Sequence, residues 1–181
     1  MRTAISLRQP RDPFHYHYLC IEDEHAAYRP LGELDLVHLR DEPRKTAFEM
    51  SMSSRLSLSG AQSKVGLYYA ENSAGGTWYL PESTAPSTHI VKTPQSVFPD
   101  QTLNEALCLE TAKLCGFDTA EWTLLKLDGG EPLLAVRRFD RIFPNPQEKL
   151  ISSLPAPKRL HQEDFCQAST KKWASRFARA A

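Results

Sequence analysis

The sequence has no long hydrophobic run: nowhere do about 18 apolar residues follow one another, which excludes an ordinary membrane-spanning helix. Its first twenty residues, MRTAISLRQPRDPFHYHYLC, lack the apolar core of a secretory leader. Charge of one sign is not in excess either. The chain carries 22 basic and 22 acidic side chains among 181 residues, which argues against a polybasic binder of nucleic acid or anionic lipid. Cysteine is sparse. Cys20, Cys108, Cys115 and Cys166 form no C-x-x-C pair, so they read as reduced thiols in a cytoplasmic protein rather than a disulfide framework or a zinc site. His15, His17, Cys20 and His25 are ligand-type residues without the second matched pair that closes a structural metal site. Absent too are the phosphate-binding G-x-x-x-x-G-K-[ST] and the G-x-G-x-x-G of ordinary kinases.

What is present has the length of about one domain and the ordinary 41% hydrophobic, 24% charged composition of a globular protein. Residues 1–50 carry little pattern: Phe14–Leu19 reads as a short aromatic strand, Leu31–Val37 is weakly periodic, and Arg40–Arg44 reads as a charged turn. Beyond Arg55 the periodicity sharpens. Leu56 and Leu58, then Val65, Leu67 and Tyr69, alternate with polar residues around Gly60, which predicts a β-hairpin. Strands are predicted at Thr77–Leu80 and Thr88–Lys92. A helix is expected to follow, with Asp100 as N-cap, Leu103, Ala106, Leu107 and Leu114 on its buried face, and Gly116 as the left-handed terminator. Trp122–Leu127 and Leu133–Val136 predict a second hairpin, and Leu160–Ala168 the opening of another helix.

This order of strand, Ser/Gly turn, strands, lysine-ended strand, helix and hairpin matches the small lobe of a kinase-like fold. In that lobe a strand lysine holds nucleotide phosphate and a helix glutamate orients it. Lys92 ends its strand; Glu105, one turn into the helix, and Glu110 further along compete as its partner.

Five segments then resemble the HipA-like serine/threonine kinase toxins: Leu58-Ser59-Gly60-Ala61-Gln62-Ser63-Lys64, His89-Ile90-Val91-Lys92, Asn104-Glu105, Arg138-Phe139-Asp140-Arg141 and Leu160-His161-Gln162-Glu163-Asp164-Phe165-Cys166-Gln167. The resemblance spans about Leu56 to Ala168 and is closest to the short, HipT-like form. It implies an α+β fold: a kinase-like small lobe of antiparallel sheet plus one helix, and only the start of a helical C-terminal lobe. The divisions expected are an N-terminal segment 1–50, a small lobe 51–143, a linker with the first helix of the second lobe 144–168, and a basic tail 169–181 that departs from the family.

The resemblance also implies roles. Ser57 and Ser59 are the autophosphorylation positions. Gly60, Gln62, Lys64, Lys92, Glu105, Arg137, Arg138 and Phe139 form the ATP site, with residues 137–139 as the hinge whose backbone holds adenine. ATP and Mg²⁺ are the implied substrate and ion, and a HipB-like helix-turn-helix antitoxin the implied partner. A protein substrate is implied as well, aminoacyl-tRNA synthetases being the known target class; direct nucleic-acid or membrane contact is not.

The family's catalytic Asp and its metal-binding Asn and Asp are not found among these 181 residues. The lone D-x-x-x-x-N, Asp140 to Asn145, lies in the hinge motif beside Pro144 and Pro146. The expectation is therefore a truncated, catalytically incomplete kinase; the alternative is a non-catalytic small-lobe binding protein or decoy for an antitoxin or kinase. The tail holds Lys171, Lys172, Arg176 and Arg179 and no acid, so the zero net charge conceals a remainder of net −4.

Overall fold

The computed structural model describes residues 25–54, 58, 62–73, 75–143 and 149–160. The chain runs β1 (Ala27–Pro30), α1 (Glu33–Asp41), α2 (Pro43–Ser54), β2 (Lys64–Ala70), β3 (Thr77–Glu82), β4 (His89–Lys92), α3 (Gln101–Leu114), β5 (Trp122–Leu125) and β6 (Leu133–Arg137). Short strands β7 (Arg141–Ile142), β8 (Leu150–Ile151), β9 (Leu154–Pro155) and β10 (Lys158–Arg159) follow. Six strands form one antiparallel sheet in the order β1-β3-β2-β4-β6-β5. The fold is α+β, with three helices among the described residues rather than the one expected.

Strand alternation divides the sheet into two unlike faces. Val65, Val91 and Ala135 are register partners, so they share a face with Leu67, Leu80 and Leu133. Leu36 and Leu39 of α1 and Ala47 and Met50 of α2 complete this core. Leu39, Leu67, Val91, Leu133 and Ala135 are wholly inaccessible to solvent. The other face carries Lys64, Lys92 and Leu134, again register partners, and α3 lies on that side.

Three expectations change. Arg40–Arg44 is the junction of two helices, not a loop turn. Glu42 alone separates them, and Pro43 starts α2 where its missing N–H costs nothing. Asp35 accepts the Gly32 amide hydrogen at 2.8 Å, which closes the start of α1. The first hairpin is not formed as expected: α2 runs through Ser54, Leu58 carries no strand pairing, and β2 pairs with β3 and β4. On α3 the buried residues are Thr102 and Ala106, while Leu103, Leu107 and Leu114 are exposed. Small side chains bring this helix close to the sheet, and the Thr102 hydroxyl donates to the Pro132 carbonyl at 3.1 Å. Asp100 is the N-cap, but its side chain accepts no capping hydrogen bond. Gly116 terminates the helix as expected, at φ +86°, with the Phe117 and Gly116 amides donating to Ala112 and Lys113. The helix expected from Leu160 onward lies, past Leu160, outside the described residues, as do Phe14–Leu19 and the basic tail.

The segment 149–160 folds back onto the lysine-bearing face at its β1 end. Tyr28 and Tyr68 pack at 4.2 Å between ring centroids, joined by Ala85, Ile151 and Ala156. The Tyr68 hydroxyl donates to Pro155, and the Tyr28 amide donates to Ser152.

His89 is half-buried against the edges of Tyr69 and Trp78, with Nδ1 2.8 Å from the Thr88 hydroxyl. Burial, helped by the nearby Arg137 charge, pushes its pKa down to about 4. Because the folded value lies below the unfolded one, only the unfolded chain takes up this proton between about pH 6.5 and 4, and stability falls on acidification through that window. The gap bounds the effect at about 3 kcal/mol; solvent at the partly open ring reduces it to about 1–2 kcal/mol. Urea-unfolding midpoints measured across this window are expected to fall less steeply for His89→Gln than for the native chain; parallel slopes would exclude the assignment.

Candidate functional site

The last residue of β4 and the first turns of α3 meet at one ion pair. Lys92 Nζ donates to Glu105 Oε1, and both side chains keep partial solvent access, at 22% and 31%. Glu105, not Glu110, is thus the partner. Lys64 is the register partner of Lys92 across the β2–β4 ladder, so two ammonium groups share one patch of sheet. Opposed like charges destabilise an antiparallel pair. Glu105 offsets one of them, and among the described residues no carboxylate pairs with Lys64. The patch is left with a net positive charge, suited to an anion with several negative groups.

The end of the serine-rich loop is fastened beside this patch. Gln62 Nε2 donates to the Thr93 carbonyl at 2.9 Å, and the Thr93 amide and hydroxyl both donate to Ser63 O. Gln62 therefore spends one donor on holding the loop against the exit of β4. Ser57, Ser59 and Gly60 lie outside the described residues.

The hinge differs from a simple ligand-contact segment. The Arg137 guanidinium reaches outward to Glu121 at 2.6 Å. Arg138 turns its side chain onto Asp140, donating through Nε and Nη2 at 2.9 and 2.7 Å. Arg141 donates to the same carboxylate at 2.5 Å and to the Ser87 carbonyl at 2.8 Å. Phe139, between these anchored residues, is 79% exposed. The structure thus brings Lys64, Lys92 and Glu105 together, but not the side chains of Arg137 and Arg138 with them; these hold the hinge from behind.

Asp140, Arg141 and Arg159 are the residues that sequence reasoning missed. Arg138-x-Asp140-Arg141 is legible as a local ion cluster, whereas nothing in the sequence announces Arg159. Arg141 and Arg159 are register partners in the β7–β10 ladder. Together with Tyr28 they take up four consecutive carbonyls of the loop before β4. Arg159 reaches Thr84 and Ala85 at 3.3 and 3.5 Å, the Tyr28 hydroxyl reaches Pro86 at 2.8 Å, and Arg141 reaches Ser87. Burial works to raise the Asp140 pKa, but the Arg138 hydrogen bonds and the Arg141 and Arg138 charges outweigh it and hold it below the usual carboxylate range. Burial, then the Arg138 charge, pushes Arg141 down to about 10. A carboxylate held this way is not free to orient a substrate hydroxyl.

Two clefts, of about 440 and 710 Å³, lie away from this patch: one beside α1 and α2, the other between the α1–α2 junction and the loop after β4. Neither is lined by Lys92 or Glu105. Among the described residues no group of three or more His, Cys, Asp or Glu side chains is assembled that could hold a metal ion, so the donors described do not fit Mg²⁺. No helix of the described residues is long and apolar enough to cross a membrane.

Known proteins share this arrangement. The chain is 37% identical over 140 residues to a Sinorhizobium fredii (strain NBRC 101917 / NGR234) protein named "Putative kinase Y4mE", covering 77% of this chain and 30% of that protein. The solved structure of HipA from Shewanella oneidensis MR-1, in complex with HipB and operator DNA, matches with a TM-score of 0.55 at 29% identity. That match covers 77% of this chain and 30% of the HipA chain. The chain thus spans about a third of the length of either relative. The HipA-like C-terminal domain family matches residues 56–180, a span that includes most of the basic segment after 168. With the match extending over more than half of its length, the chain belongs to the HipA-like family.

Proposed function

We propose that the described lobe is the nucleotide-gripping part of a HipA-like protein serine/threonine kinase, the toxin of a toxin–antitoxin pair. The observation that carries this reading is the Lys92–Glu105 pair bridging β4 and α3. An ammonium fixed by a carboxylate at a strand end can neutralise phosphate while keeping its direction. Lys64 adds a second positive charge on the same face, and the hinge backbone at 137–139 provides the edge for a purine. Mg²⁺ would supply further phosphate neutralisation in such a kinase; the residues described here do not form its site, and no step is assigned to it. The partner proposed is a HipB-like antitoxin, and the substrate a protein hydroxyl of the kind found in aminoacyl-tRNA synthetases. In this reading Ser57 and Ser59 are self-phosphorylation sites, where added negative charge would oppose triphosphate.

The 181 residues by themselves are expected to bind ATP without transferring its phosphate. Incubation with γ-labelled ATP, followed by mass analysis of the chain, checks this. Label on Ser57 or Ser59 would overturn the catalytically incomplete reading, and an absence of saturable ATP binding would sink the nucleotide reading altogether.

A further inference from the structure

The cluster around Asp140 joins three separate pieces of chain. Arg138 lies in the hinge, and its amide donates to the Thr88 carbonyl at 2.9 Å, one residue before β4. Arg141 lies in β7 and donates to Ser87 O. The Leu160 amide donates back to the Asp140 carbonyl at 3.0 Å. Side-chain exposure at Arg138, Asp140 and Arg141 is only 13%, 11% and 3%. From the anchored Thr88, β4 runs four residues to Lys92, about 13 Å at the usual rise per residue. One short strand therefore connects the hinge, at one end, to the phosphate-type lysine at the other.

We propose that Asp140 is a positioning residue: by fixing Arg138 and Arg141 on one carboxylate, it sets the spacing and angle between the hinge backbone at 137–139 and Lys92. The inference rests on the nucleotide reading above. A ligand that must touch both ends feels the clamp, and a ligand that touches only the lysine end does not. ATP is the first kind and inorganic tripolyphosphate, which has the charge but no base, is the second.

The test uses the full 181-residue chain and calorimetric titration with both probes, with near-ultraviolet circular dichroism to verify folding. Asp140→Asn is expected to weaken ATP binding about tenfold, since small misplacement at a rigid site is costly, while tripolyphosphate binding stays within about twofold. Asp140→Glu, which restores the charge, is expected to recover most of the ATP affinity. Arg138→Lys keeps both charges and loses the paired hydrogen bonds; it carries the test should Asp140→Asn not fold, with the same selective loss expected. Equal weakening of both probes in folded variants, or no weakening of either, would overturn the positioning role. A native chain that binds tripolyphosphate but not ATP would overturn the nucleotide reading instead, and the inference with it.

Discussion

Asp140→Ala is expected to lower the unfolding free energy by about 3–5 kcal/mol, the usual cost of removing one partner from a buried ion cluster. Two guanidiniums lose their shared carboxylate at once. Arg141, 3% exposed at its side chain, cannot turn to water without abandoning the Ser87 carbonyl. Burial and the Arg138 charge already press on it, and without Asp140 nothing nearby opposes them. Urea unfolding at pH 7 measures the loss. The control is Glu121→Ala, which removes the exposed partner of Arg137 and is expected to leave the midpoint essentially in place. A second signature follows from the depressed pKa of Asp140. A carboxylate whose folded value lies below its unfolded one stabilises fully above about pH 4 and loses that contribution as pH falls through the folded value. The difference between native chain and variant should therefore hold constant from pH 7 to about 4 and close below it. A difference under 1 kcal/mol at pH 7 would exclude the clamp as a structural element.

Lys92→Met has the other large expected effect, on binding rather than folding. Losing a charge-assisted hydrogen bond to phosphate removes about 1.5–3 kcal/mol, or about 10- to 100-fold in affinity. ATP and tripolyphosphate should suffer alike, unlike the selective loss at Asp140. The melting temperature should move little, because the substitution also relieves the opposition between Lys64 and Lys92. Glu105→Gln inverts this pattern. It leaves two ammonium groups facing one another without a carboxylate, so it should destabilise more than Lys92→Met while weakening ATP less. Calorimetric titration and thermal melts on the two variants decide the matter; equal effects on both measurements would contradict the geometry.

The parts legible in the sequence were those whose signals are local. Alternation along β2, β4 and β6 marks the core, because Val65, Leu67, Val91 and Ala135 face one side. A lysine at a strand end followed by a glutamate one turn into a helix marks the ion pair. β1 and the two helices after it escaped notice for a physical reason. α1 buries only Leu36 and Leu39, β1 has four residues including Pro30, and both are held by packing against strands made later in the chain. The face of α3 was misjudged because leucine spacing predicts a broad apolar contact, whereas the helix seats itself through Thr102 and Ala106. At the hinge, neighbours in sequence showed the ion cluster, but the Ser87 and Arg159 contacts arise from chain folding alone.

The sheet order also sets a timetable for synthesis. β1 is the first strand made, yet its partner β3 lies about fifty residues further on, from Pro30↔Tyr79 to Ala27↔Glu82. At about 5–20 residues per second, β1 waits roughly 3–10 s on the ribosome before it can pair. Its shortness, with Arg29 and Pro30 in four residues, limits what else it can recruit meanwhile. The local β5–β6 hairpin, by contrast, can close as soon as it emerges, so the edge laid down first is the one sealed by the middle of the chain.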